Sequence, residues 1–157
     1  MKNILILCTG NSCRSIMAEA IFHHLAGSRF SVYSAGSQPT GAVHPVAIKT
    51  LEKNGIAASH YKSQSWDDFQ EIPIELVITV CDNAASTPCP VFLGSQMKAH
   101  WGVSDPALAQ GTEEEVQSVF DDVFHSLERR ITLFLELPIE QLSRKELEIE
   151  LNAIGKL

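Results

Sequence analysis

Apolar residues fall along this chain in two alternating rhythms. Residues 3–7 form a short continuous apolar run, as a strand buried on both faces requires, and the run ends in Cys-Thr-Gly-Asn. Ile16, Met17, Ala20, Ile21, His24 and Leu25 then recur at helical spacing until Gly27. Phe30 to Ala35 predicts a second strand, closed by Gly36 and Pro39. A second helix starts near Pro45, carries Val46, Ala47, Thr50 and Leu51 on one face, and stops at Asn54-Gly55. After a polar stretch with Trp66 and Phe69, the β-branched run Leu76 to Val80 reads as a buried central strand, and Lys98 to Val103 as a short last one. Thr112 and Glu115 form a capping box ahead of Val116, Val119, Phe120, Val123, Phe124, Leu127, Ile131 and Phe134. These apolar steps of three and four predict a long helix that ends before Pro138, with a shorter peripheral helix over Ser143 to Ile154.

Strands alternating with helices imply βαβ units, and so a mainly four-stranded parallel sheet in a three-layer α/β/α arrangement. Ligands of such sheets bind beyond the strands' C-terminal ends, where Cys8, Cys81 and Asp105 all fall. At 157 residues the chain fits one domain, which we expect over 1–137, followed by a C-terminal extension over 138–157. The formal charge of −7, with no basic stripe, argues against nucleic acid or an anionic membrane as partner. The N-terminal apolar run is too short for a secretory signal, and no window nears the ~18 apolar residues of a membrane span, so the expectation is a cytoplasmic monomer.

Four cysteines stand at positions 8, 13, 81 and 89. Paired thiols in a cytosolic chain are metal ligands or redox groups more often than structural disulfides, and separations of five and eight residues do not suit a zinc site. The loop Cys8-Thr9-Gly10-Asn11-Ser12-Cys13-Arg14-Ser15 lies between a buried strand and a helix N-terminus. Backbone N–H groups curled at a helix start form a nest for a tetrahedral oxyanion, favoured further by the helix dipole, and Arg14 is expected to close the cradle bidentately. Such surroundings bring cysteine pKa values from ~8.5 to ~3.5–7.5, which makes Cys8 a nucleophile beneath the bound anion. We expect Gly10 to take a positive φ, Asn11 and Ser15 to brace the loop and the sulfur, and Cys13 to be a packed, supporting thiol. The plain alternative is a buried structural cysteine in an ordinary strand-to-helix turn.

This loop resembles that of the low-molecular-weight protein tyrosine phosphatases, as do Glu19, Ser34-Ala35-Gly36 and Asp105-Pro106, and the likeness extends to about residue 136. It implies the corresponding fold and a general-acid role for Asp105; without it, Asp105 is a turn-forming residue with no chemistry.

Hydrolysis needs one thiolate and leaves Cys81 and Cys89 unexplained. Reducing arsenate to arsenite takes two electrons, which conversion of two thiols to a disulfide supplies, and relaying the oxidation to where a reductant can reach it takes a third cysteine. The segment Val80 to Pro90, and His100-Trp101-Gly102 after it, resemble the arsenate reductases related to these phosphatases. The resemblance implies that Cys8 attacks arsenate, Cys81 attacks Cys8 and expels arsenite, and Cys89 attacks Cys81 to leave a Cys81–Cys89 disulfide, which thioredoxin or glutaredoxin resets. Disulfide closure needs Cα atoms within ~7 Å, whereas eight extended residues span ~26 Å, so that segment must fold back or move.

Some of these reductases hold a potassium ion through an asparagine, a glutamate, a serine and an aspartate. Asn11, Glu19 and Ser34 match three of these, but Gln64 stands at the fourth, so no metal and no cofactor is assigned. Ala107 stands where phosphatases often carry an aromatic residue after the Asp-Pro, which favours a small inorganic substrate. Three functions remain: arsenate reductase, phosphomonoester phosphatase working through a Cys8 phospho-enzyme, and a redox-sensing oxyanion module.

Overall fold

The computed structural model describes residues 2–80 and 96–157; Cys81 and Cys89, and the relay assigned to them, lie outside the described residues. Four strands, β1 (Asn3–Cys8), β2 (Ser31–Gly36), β3 (Leu76–Thr79) and β4 (Met97–His100), make one sheet in the order β2-β1-β3-β4. All three pairings are parallel. Ile4, Leu5, Ile6, Leu76 and Ile78 are fully buried, as strands covered on both faces must be.

The helices are α1 (Arg14–Ala26), α2 (Pro45–Lys53), α3 (Glu113–Glu136) and α4 (Arg144–Gly155). Each starts or stops where its end signals predict. Pro45 occupies the first turn of α2, and complete capping boxes open α3 (Thr112 with Glu115) and α4 (Ser143 with Glu146). Phe120, Val123, Phe124, Leu127, Ile131 and Phe134 of α3 are buried, and Phe134 meets Phe22 edge-on with ring centroids 5.7 Å apart.

The predicted face of α1 needs correcting. His24 and Leu25 are exposed, whereas every residue from Ser15 to Phe22 is buried, Glu19 included. With β1 and β2 on one side and α2 and α3 on the other, the first two turns of α1 have no solvent face, so no single stripe describes them. The last strand is likewise shorter than expected, although Trp101 and Val103 still donate their N–H groups to Thr79 O (2.7 Å) and Val80 O (3.1 Å).

The segment 138–157 packs on this body. Leu147, Leu151 and Ile154 are buried, and the indole N–H of the buried Trp101 donates to Leu151 O at 3.0 Å. No helix among the described residues is long and apolar enough to cross a membrane.

Candidate active site

The C-terminal end of β1 delivers Cys8 directly into the loop that starts α1. Cys8 is 2% exposed, its Sγ lies 2.9 Å from Ser15 Oγ, and the Asn11 backbone N–H donates to the same sulfur at 3.2 Å. The side chain of Asn11 ties this serine into a wider network. Both of its amide protons are used, one on Ser15 Oγ (2.7 Å) and one on Ser34 Oγ (3.0 Å). Ser15 accepts from Asn11, and against a Cys8 thiolate, which can only accept, its hydroxyl is the donor. Ser34 accepts from Asn11 and gives its proton to Glu19 Oε1 at 2.6 Å. The thiolate of Cys8 thus accepts from both the Ser15 hydroxyl and the Asn11 N–H, bonds that favour the anionic form.

The positive φ expected at Gly10 belongs instead to Asn11, at 47°. Asparagine tolerates this region better than most residues. Here its side chain is held on both sides, because Gln64 N donates to Asn11 Oδ1 at 2.7 Å. Gly10 allows a close approach: a Cβ there would lie 3.2 Å from Thr40 Cγ2. The loop's carbonyls are tied down from outside, by Gln38 N to Thr9 O (2.9 Å), Thr40 N and Ser63 Oγ to Gly10 O (3.0 and 3.1 Å), and His44 N to Ser12 O (2.9 Å). With its carbonyls so held, the loop presents its N–H face inward. Cys13 fills the N-cap position of α1 without a side-chain cap, which leaves the helix's opening amides to a ligand.

Arg14 does not lie closed over the loop. Its fork reaches Val103 O (3.3 Å) and Asp105 Oδ2 (3.5 Å), joining the first loop to the one after β4. Asp105 Oδ1 accepts from Ala107 N (3.0 Å) and so caps a short 3-10 turn, Pro106–Leu108. The sequence-derived residues Cys8, Arg14 and Asp105 are thus gathered at one edge of the sheet. Cys13 is buried among them; burial pushes its thiol above the ordinary range, the Ser12 hydroxyl opposes this, and the charges of Asp105, Cys8 and Arg14 all act on it. Cys13 is therefore a buried thiol beside the site, its deprotonation opposed by burial.

Behind the loop, burial pushes Glu19 up to about 7, and the bond from Ser34 offsets only part of that. Tyr61, raised to about 12 by burial and by the charge of Glu19, does not serve this carboxyl with its proton. His23 Nε2 lies 2.8 Å from the Val32 carbonyl and must be its protonated nitrogen, so His23 Nδ1 accepts from Tyr61 OH at 2.7 Å. Among the described residues no group of three or more His, Cys, Asp or Glu side chains is arranged to hold a metal ion. Ser63 and Gln64 brace the loop from 53 residues away. No spacing signal marks them, because their role follows from the bridge between Ser65 and Gly36 that extends the sheet.

The chain has relatives that can be compared along nearly its whole length. The model of the family described as low molecular weight phosphotyrosine protein phosphatase matches residues 3–148. An arsenate reductase of Halalkalibacterium halodurans is 42% identical over 135 residues, covering 86% of this chain and 96% of that protein. The arsenate reductase of Bacillus subtilis is 41% identical over the same shares. A solved structure described as an arsenate reductase in the phosphate binding state superposes with a TM-score of 0.71 at 28% identity, covering 84% of this chain and 95% of that one.

Proposed function

Since this chain belongs to the low molecular weight phosphotyrosine protein phosphatase family, we propose that it reduces arsenate to arsenite. The observation that carries the reductase reading is the 42% identity that spans 96% of an arsenate reductase, together with cysteines at positions 81 and 89.

The site accounts for the first step. Arsenate enters the N–H cradle at the start of α1, and Arg14 turns its fork from Asp105 to the anion, because a doubly charged oxyanion is a stronger partner than one carboxylate oxygen at 3.5 Å. Asp105, released from Arg14, takes up a proton from solvent; the Cys8 thiolate attacks arsenic, an As–O bond breaks, and the oxygen leaves as water with that proton. The Cys81 thiolate then attacks the Cys8 sulfur. A Cys8–Cys81 disulfide forms while the electron pair of the S–As bond departs on arsenic, giving arsenite. Cys89 displaces Cys8 from Cys81, and a dithiol protein of the thioredoxin or glutaredoxin class reduces the Cys81–Cys89 bond. The two electrons gained by arsenic equal the two lost by the thiols.

Arsenite release from purified protein, followed with thioredoxin and glutaredoxin systems side by side, tests this reading. No arsenite with either would overturn it. Cys8, Arg14 and Asp105 also suffice for phosphoryl transfer, so slow hydrolysis of an aryl phosphate is expected and does not decide the matter.

A further inference from the structure

Three consecutive carbonyls follow β4, and each is held by an arginine. Arg130 Nη1, from the middle of α3, donates to Trp101 O (2.9 Å) and Gly102 O (3.1 Å), and Arg14 Nη1 donates to Val103 O (3.3 Å). Arg130 Nη2 continues to the main-chain oxygen of Leu157 at 2.9 Å. Arg130 is 5% exposed, so its guanidinium is buried against these main-chain oxygens.

The loop these oxygens belong to borders an open depression of about 340 Å³, lined by Gly102, Val103, Ser104, Val119, Asp122 and Ser126 among others. Hydrogen bonds hold the loop on two sides: Trp101 N and Val103 N to Thr79 O and Val80 O on one, the two guanidinium groups on the other. The C-terminal segment closes the assembly. A Cβ on Gly155 would lie 2.2 Å from His100 O and 3.0 Å from the Trp101 ring, so α4 sits on the stretch of chain that Arg130 clamps.

We propose that Arg130 is a positioning residue for oxyanion binding: by fixing the carbonyls of Trp101 and Gly102 against α3 and the C-terminal segment, it places Val103 O and Asp105 where they orient Arg14. The proposal rests on the reading of Cys8 and Arg14 as an oxyanion site, and extends it to a helix that touches no substrate.

Protection of Cys8 from iodoacetamide by inorganic phosphate, measured on the full chain at a temperature where each variant is folded, tests this inference. Arg130→Met should weaken phosphate protection at least fivefold. Arg130→Lys should recover part of the loss, because an ammonium group can still bridge two adjacent carbonyls. In an Arg14→Met background, Arg130→Met should have no further effect, since its influence passes through that side chain; a general loss of structure would add to the Arg14 defect. Gly155→Ala, which wedges α4 off His100 O, should reproduce the defect in smaller degree, and carries the test if Arg130→Met does not fold. Undiminished protection in folded Arg130→Met, or in Gly155→Ala if that variant must stand in for it, overturns the proposal, as does a loss that adds fully to that of Arg14→Met. Arsenite production by the wild-type chain is a separate readout: its absence, with phosphate protection intact, would fail the reductase reading and leave this one standing.

Discussion

Glu19 gives the sharpest quantitative test of the site's interior. Its carboxyl is buried, receives a proton from Ser34 alone among the described side chains, and is pushed from 4.5 up to about 7. A carboxyl with a raised pKa binds its proton more tightly in the folded than in the unfolded chain. Its contribution is fully present below pH 4.5, is lost as pH rises through 7, and is constant above that. A difference of about 2.5 units at ~1.4 kcal/mol each amounts to roughly 3 kcal/mol. Glu19→Gln keeps an oxygen to accept from Ser34 and has no charge to desolvate. Relative to wild type, the variant should therefore gain about 3 kcal/mol between pH 4.5 and pH 8, equivalent to a melting shift of roughly 6–12 °C for a domain of this size. Urea or thermal melts of both proteins at half-unit pH intervals in choline chloride provide the measurement. A stability difference that stays flat from pH 5 to 8.5 would refute the argument, because the carboxyl would then be ionised throughout. Potassium chloride extends the test: a shift of the same size is expected where desolvation alone acts, and its loss would place a cation beside the carboxylate.

Three further outcomes follow from the loop. Ser15→Ala removes the hydroxyl donor to the Cys8 thiolate; a bond to a charged group is worth about 1.5–3 kcal/mol, so iodoacetamide should react roughly ten to a hundred times more slowly at neutral pH, with the rate recovering in alkali. Gly36→Ala places a Cβ 2.5 Å from Thr9 O and 3.1 Å from Asn11; phosphate protection of Cys8 should fall at least tenfold while circular dichroism stays native, and full protection would show that the loop has slack. Cys89→Ser should give one arsenite per enzyme and then stop, with a Cys8–Cys81 bond visible by mass spectrometry of non-reduced digests; sustained turnover with thioredoxin would end the three-cysteine scheme.

Much of the architecture was legible because it rests on local rules. Strand 3–7, the caps at Pro45 and Thr112 and the α3 stripe are written in adjacent residues, and so is the Cys8 to Ser15 loop. What the pattern could not carry were relations between distant segments. Asn11 takes the left-handed conformation in place of Gly10 because Ser15, Ser34 and Gln64 hold its amide, and two of those three lie more than twenty residues away. Glu19 and Ser34 entered as isolated matches to a family pattern, whereas the structure links them, through Asn11 and Ser15, to the nucleophile. Arg130 was invisible for a related reason. A charged residue beside the apolar stripe of a helix reads as solvent-facing, and only the crossing of α3 behind the loop after β4 turns it inward.

The close seat of Gly155 on His100 also bears on how the molecule behaves in company. Met97 in β4 and Trp101 just after it point their N–H groups toward β3 and its flanks, so His100, in the opposite phase, directs its carbonyl to the sheet's open side. Gly155 covers that oxygen, and no larger side chain would fit there. An uncovered strand edge is a template on which another chain can add. The last turn of α4 thus covers part of the sheet's open edge, and detaching it should show as concentration-dependent assembly before any loss of secondary structure.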